Sequence, residues 1–335
     1  MVGPPTRKPL VLTMGEPAGI GPEIIVKAWQ ALRSMGPSFA VLGNADALRV
    51  LGAPVRSVLS VTEAEGLFRD AVPVIDQPLG APVVPGRPDI ANAGAVADWI
   101  AMAVDRVLGG EAGGLVTAPI AKAPLYASGF RFPGHTEFIA ELTADVPYAG
   151  TRGPVMMLTA RDLRACLVTI HTPIRDVPEL VTTERVSRVS RVVHEAMRRD
   201  FGIARPRLAL AALNPHAGEG GAIGLEEVEI LRPVAKALRA EGITITDPLP
   251  ADTLFHDEAR ATYDAAICLY HDQALIPVKT LDFWGGVNTM LGLPIVRTSP
   301  DHGVGFDIAG QGIARPDSLI AAIRLADTMA AARAV

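Results

Sequence analysis

The chain has 335 residues, of which 49% are hydrophobic, 20% charged and 5% aromatic, and its formal net charge is -5. That is more chain than one core organises comfortably, so two lobes of roughly 150 residues are expected. The acidic balance argues against a nucleic-acid binder, which needs a basic face. No run approaches the roughly 18 apolar residues of a membrane span. The stretch Met1 to Pro9 holds two basic residues with no long apolar segment behind them, so no signal peptide is expected. Cys166 and Cys268 sit in apolar runs and read as reduced core thiols. These features point to a cytoplasmic protein.

Short β-like runs alternate with longer helical patterns, the signature of a mostly parallel sheet covered by helices. Pro9 to Met14 reads as the first strand, followed by a glycine-rich turn, a helix from Pro22 to Met35 and a strand at Phe39 to Leu42. Ala91 to Leu108 is helical, with Val96, Ile100, Ala103 and Val107 on one stripe. Leu115 to Thr117 reads as a strand, and Glu137 is placed to open a helix after Thr136. The middle continues with strands Pro154 to Thr159 and Ala165 to Ile170, helix Thr183 to Phe201, and strand Arg207 to Leu213. Helix Leu225 to Ala240 and strands Thr244 to Thr246 and Ala265 to Tyr270 follow. A strand at Pro294 to Arg297, a glycine-rich loop and a helix from Pro316 to Ala332 close the chain.

Three of the seven histidines follow apolar strands: His171 after ACLVTI, His216 after LALAALNP, and His271 after AAICLY. In open α/β sheets, ligands gather at the carboxyl ends of strands. Three imidazoles delivered there can hold a catalytic metal with an open position. A single strand-end histidine is more often a hydrogen-bonded loop residue, and pattern alone does not show that the three meet. His194, mid-helix among charged residues, reads as solvated or capping, and His256 as incidental.

Neither glycine-rich segment is a Rossmann or Walker turn. Gly15 to Glu23 lies between a strand and a helix, with Pro22 suited to the first helical turn. The segment from Thr298 to Pro316 gathers glycines, aspartates and a histidine beyond what a connector needs. Its aspartates can accept ribose or adenine hydrogen bonds, and its glycines let backbone amides approach a flat ring or phosphate.

The motifs GEPAGIGPEI at Gly15, TAPIAKAPL at Thr117, FPGHTEF at Phe132 and TIHTPI at Thr169 are specific, as are LNPHAGEGG at Leu213 and PLPADTLF at Pro248. So are YHDQALIPVK at Tyr270 and GVNTMLGLPIVRTSPDHGVGFDIAG at Gly286. Through them the chain closely resembles the 4-hydroxythreonine-4-phosphate dehydrogenase family of vitamin B6 synthesis along essentially its whole length. The resemblance implies an α/β, two-domain, isocitrate/isopropylmalate dehydrogenase-like fold with helices on both faces of mostly parallel sheets. It further implies a homodimer, with the active-site cleft between domains at the subunit interface. The implied division is 1–138 plus 298–335 on the cofactor side and 139–297 for metal, substrate and dimerisation. The resemblance assigns a divalent metal (zinc, magnesium or cobalt) to His171, His216 and His271. It assigns substrate to His135, Thr136, Lys279, Asn288 and Arg297, and the adenosine half of NAD or NADP to His302, Gly303, Asp307 and Gly310. No proton acceptor is assigned, with Lys279 and Asp272 both open. The implied reaction oxidises 4-phosphooxy-L-threonine, and the resulting β-keto acid loses carbon dioxide to give 3-amino-2-oxopropyl phosphate. Relatives of the same fold acting on threonate or erythronate 4-phosphate, or on a dihydrodiol carboxylate, are the alternative.

Overall fold

The computed structural model describes residues 7–334. Residues 1–6 of the stretch read for a signal peptide lie outside the described residues. Two compact units are present, one of Met1–Val146 with Pro294–Val335 and one of Pro147–Leu293.

The first unit opens with β1 (Leu10–Thr13), β2 (Phe39–Gly43), β3 (Val55–Ser57), β4 (Val72–Asp76) and β5 (Leu115–Thr117). The second holds β6 (Val155–Ala160), β7 (Leu163–Leu167), β8 (Arg207–Leu210), β9 (Thr244–Ile245), β10 (Ala265–Cys268) and β11 (Val287–Leu291). The chain then returns to the first unit with β12 (Arg297–Pro300). There the strands run in the order β3-β4-β2-β1-β5-β12, and every pairing is parallel. In the second unit the order is β11-β6-β7-β10-β8-β9, antiparallel at β11/β6 and β6/β7 and parallel beyond. The fold is therefore mixed α/β with mostly parallel strands, as the alternation implied.

Parallel strands lie buried on both faces and read as continuous apolar runs; β1 is LVLT and β10 is AAIC, every residue buried. The helices have local causes. Asp89 caps Ile90–Leu108 by accepting from the Ala91 amide at 2.9 Å, and Val96, Ile100 and Ala103 are buried. Val107, expected on that stripe, is only half-buried, and Val104 takes its place. Thr182 caps Thr183–Phe201, and Gly202 closes it in the left-handed conformation that glycine adopts without a Cβ penalty.

Several expectations need correction. β3, β4 and β11 carry no strong strand signal in the sequence and are additions. The strand expected at 294–297 begins at Arg297, where pairing with Leu115 starts; Ile295 and Val296 are buried in the connection before it. The helix expected over 225–240 is a π-helical turn at Glu227–Leu231 running into an α-helix at Arg232–Ala240. His135, not Glu137, is the first residue of the helix His135–Leu142. The strands before the three histidines are shorter than expected, so His171 and His216 sit in the following turns and His271 opens a helix, His271–Leu281.

Candidate active site

In the second unit, paired backbones bring two of the histidines together. Beyond β7, the Val168 and Thr169 amides donate to the Cys268 and Leu269 carbonyls, and the Thr169 hydroxyl donates to Leu269 at 2.7 Å. The turns after β7 and β10 are thereby laced side by side. The rings of His171 and His271 lie with centroids 5.9 Å apart. A cavity of about 420 Å3 opens there, lined by His171, Pro173, Val177, Tyr270, His271 and Asp272. His271 Nδ1 is 2.7 Å from Asp272 Oδ1. A carboxylate on Nδ1–H fixes the tautomer and leaves the Nε2 lone pair for a ligand.

Gln273 escapes a reading of the sequence, where a glutamine after His-Asp carries no signal. It is buried, accepts the Leu269 amide at 2.7 Å and donates to the Ala212 carbonyl at 2.7 Å. It thus ties the His271 turn to the chain leaving β8.

His216 stands apart from this pair. It begins six consecutive residues with positive φ, His216 to Gly221, and is itself exposed. Among the described residues no three His, Cys, Asp or Glu side chains form a group able to hold a metal ion. The donor chemistry suits a divalent ion, with two adjacent imidazoles and one of them carboxylate-oriented, but this chain alone gathers two of the three expected ligands. Of the expected substrate residues in this unit, Asn288 lies on β11 with its Oδ1 buried and without a hydrogen-bond partner. Lys279 rests its ammonium 5.3 Å from the centre of the Phe283 ring.

In the first unit, Arg297 opens β12 and is 3% exposed. Its Nη2 donates to Thr117 Oγ1 at 2.6 Å, and its Nε has no partner. Burial pushes its pKa down to about 9, and no carboxylate relieves it. His135 Nε2 is likewise buried without a partner. Burial, and then the nearby charges of Arg297 and Lys122, hold the His135 imidazole well below its usual pKa. Phe132 and Phe138, with ring centroids 5.1 Å apart, brace the turn that delivers His135 and Thr136. A neutral imidazole, a hydroxyl, the nearby Lys122 and a buried guanidinium with no carboxylate partner among the described residues make a receptor for an anion. Lys122 and Thr117 sit in TAPIAKAPL, a motif whose residues carried no assigned role.

The loop from Asp301 to Pro316 contains no strand or helix. It is held to the first glycine-rich turn, where the Ile20 amide donates to the Val304 carbonyl at 2.9 Å. A Cβ on Gly19 would lie 2.7 Å from that carbonyl oxygen, so the close approach requires glycine. Of the four expected cofactor residues, Gly310 alone lines a cavity of about 480 Å3 at the carboxyl ends of β1, β2 and β4. Glu23 also lines it; one oxygen accepts Lys27 and the Ala314 amide, and Oε2 is buried without a partner. His302 Nδ1 lies 3.0 Å from the Gly303 carbonyl, and the Asp307 carbonyl accepts from Gln311.

Cys166 and Cys268 are buried free thiols whose pKa burial raises. His194 is half-buried rather than solvated, and its Nδ1 has no partner. His256 Nδ1 pairs with Glu258 at 3.0 Å. No described helix is long and apolar enough to cross a membrane.

Parallel strands with polar groups converging beyond their carboxyl ends define an α/β small-molecule enzyme. Residues 37–326 match the family model of pyridoxal phosphate biosynthetic protein PdxA. A 4-hydroxythreonine-4-phosphate dehydrogenase of Caulobacter vibrioides is 61% identical over 332 residues, covering 98% of this chain and 100% of that protein. The crystal structure of a 4-hydroxythreonine-4-phosphate dehydrogenase from Klebsiella pneumoniae is 37% identical with a TM-score of 0.84, covering 96% of this chain and 99% of that one. A terephthalate 1,2-cis-dihydrodiol dehydrogenase from Burkholderia xenovorans is more distant, at 30% identity and a TM-score of 0.64, covering 96% and 98%. The chain belongs to the PdxA family and is an oxidoreductase of pyridoxine biosynthesis.

Proposed function

We propose that the chain oxidises 4-phosphooxy-L-threonine with NAD or NADP to 2-amino-3-oxo-4-phosphooxybutanoate, which decarboxylates to 3-amino-2-oxopropyl phosphate. The observation that carries the substrate class is Arg297, a buried guanidinium with no carboxylate partner, beside the unpartnered His135 Nε2. A buried cation is costly unless paired, and the phosphate of the substrate supplies the missing charge. Arg297 and His135 donate to phosphate oxygens, Thr136 adds a neutral hydrogen bond, and Lys279 and Asn288 orient the amino-acid end. Asp272 is engaged with His271 Nδ1, so its role is to orient that ring.

The 3-hydroxyl carbon gives its hydride to the nicotinamide ring and the hydroxyl gives up its proton. The resulting ketone lies β to the carboxylate, so the bond to the carboxylate breaks, its electron pair passes to the ketone oxygen as an enolate while carbon dioxide leaves, and the enolate takes a proton from solvent at the carbon that bore the carboxylate. When bound, a divalent ion (zinc, magnesium or cobalt) supplies Lewis-acid polarisation of the reacting oxygen. His171 and His271 would hold it from one subunit, with His216 completing the set from a second copy in a homodimer. Ile276, Phe283 and Trp284 are exposed apolar residues in and just after the helix that His271 opens, which a second copy would cover. The loop from His302 to Gly310 is assigned to the adenosine half of the cofactor, with Gly310 on the rim of the neighbouring cavity.

The test is NAD(P)H formation with 4-phosphooxy-L-threonine and with threonate 4-phosphate, with metal added. The amino acid is expected to be the better substrate by kcat/KM. Turnover of the non-amino acid alone would overturn the reading.

A further inference from the structure

The structure assigns Glu227 as the positioning residue that holds His216 in place, an inference that rests on the proposed ligand role of His216. The loop after β8 runs through His216, Ala217, Gly218, Glu219, Gly220 and Gly221 at φ values of 53, 52, 77, 47, 66 and 105°. Three of these residues carry side chains in a region that L-residues avoid. Such a run persists only where its surroundings over-determine it.

Glu227 provides that determination. It is fully buried. Its Oε1 accepts the Leu213 and Asn214 amides, both at 2.8 Å, and its Oε2 accepts Asn214 Nδ2 at 2.9 Å. Asn214 Nδ2 also donates to Glu226 Oε2 at 2.7 Å. The loop closes tightly over this carboxylate: a Cβ on Gly218 would lie 2.6 Å from Glu227 Oε2. The chain entering the left-handed run is thus held by one side chain, and Gly218 within the run passes close over the same carboxylate, whose residue itself begins the π-helical turn Glu227–Leu231. Such turns insert a residue into a helix and recur at functional sites. Here the insertion aims Glu227 into the loop.

Glutamine would keep one acceptor for the two amides but would set an NH2 against Asn214 Nδ2. Flipping Asn214 would place its oxygen on the Glu226 carboxylate, so Glu227→Gln cannot restore the network. Alanine removes all three bonds.

The experiment measures zinc affinity of the metal-stripped full chain by competition with a chelating dye, for wild type, Glu227→Gln, Glu227→Ala and His216→Ala. Amide exchange of the 213–221 segment and thermal midpoints accompany it. Both Glu227 variants are expected to weaken zinc about 10- to 100-fold, glutamine less than alanine, with faster exchange at 213–221. Should Glu227→Ala fail to fold, Glu227→Gln, which keeps the backbone bonds, decides alone. Wild-type zinc affinity in Glu227→Gln, with binding lost in His216→Ala, would overturn the inference. If His216→Ala itself binds zinc like wild type, the ligand role of His216 fails. Exchange then decides for Glu227: faster supports its hold on the loop, unchanged overturns it.

Discussion

At the scale of the residue, Arg297 shows function set against stability. Its pKa falls from 12.5 to about 9 in the folded chain. Between those values the unfolded chain binds more protons, so folding stability rises with pH from about 9 upward, and below that the cost of the buried charge is carried in full. Arg297→Met is therefore expected to raise the thermal midpoint of the free protein, by on the order of 1–4 kcal/mol equivalent. The same change removes charge-assisted bonds of about 1.5–3 kcal/mol each, so KM for the phosphorylated substrate should rise about 10- to 100-fold. Loss of stability together with unchanged KM would show a structural arginine. His135 gives the pH counterpart. Its folded pKa lies below the unfolded value of about 6.5, so the unfolded chain alone takes up a proton as pH falls through that value. Stability should drop on acidification, and the drop should be shallower in His135→Asn by thermal melts between pH 7.5 and 5. His194, also held low by burial, acts with the same sign in both proteins and cancels in the comparison. The residue types at 135 and 297 are legible in their motifs. The absence of a counter-ion around them is not, because it depends on which distant side chains come near.

At the scale of the element, the sequence is readable where one signal dominates. Thr183–Phe201 has a cap, a periodic face and a terminal glycine, and each does what its chemistry requires. β3 and β4 escape a pattern reading because they are three and five residues long, and β4 carries Pro73. The helix His271–Leu281 escapes it because Pro277 lies inside, where proline normally ends a helix. Glu227 is invisible for a related reason: an acid in a polar helical pattern reads as a solvated face. The glycine-rich segment at Gly15 reads as a turn, and its purpose emerges only from what packs on it. Gly19→Ala should push the Val304 carbonyl away and release the loop from His302 to Gly310. The expected result is a raised KM for NAD(P) with a loss of about 1–3 kcal/mol in stability, measured by steady-state kinetics and chemical denaturation. Unchanged cofactor KM would detach that loop from cofactor binding.

For the whole molecule, the alternation of strand and helix patterns is enough to set the α/β class, but no composition break marks where one unit ends. The compact units divide at 146/147 and 293/294. Convergence of the three histidines is the least legible feature, since a strand-end position does not say which turns meet. One chain brings His171 and His271 together and leaves His216 apart. If two subunits share each site, a mixture of His216→Ala and His271→Ala proteins should regain activity that neither shows alone. Random pairing of subunits restores about a quarter of the sites. A mixture as inactive as its parts would place all three ligands in one subunit.

The most direct test of the central claim is product stoichiometry. With 4-phosphooxy-L-threonine, NAD(P) and a divalent metal, the wild-type protein should release one carbon dioxide for each NAD(P)H formed, and Arg297→Ala should lose both at subsaturating substrate. NAD(P)H without carbon dioxide, or no NAD(P)H at all from a metal-loaded, folded protein, would contradict it.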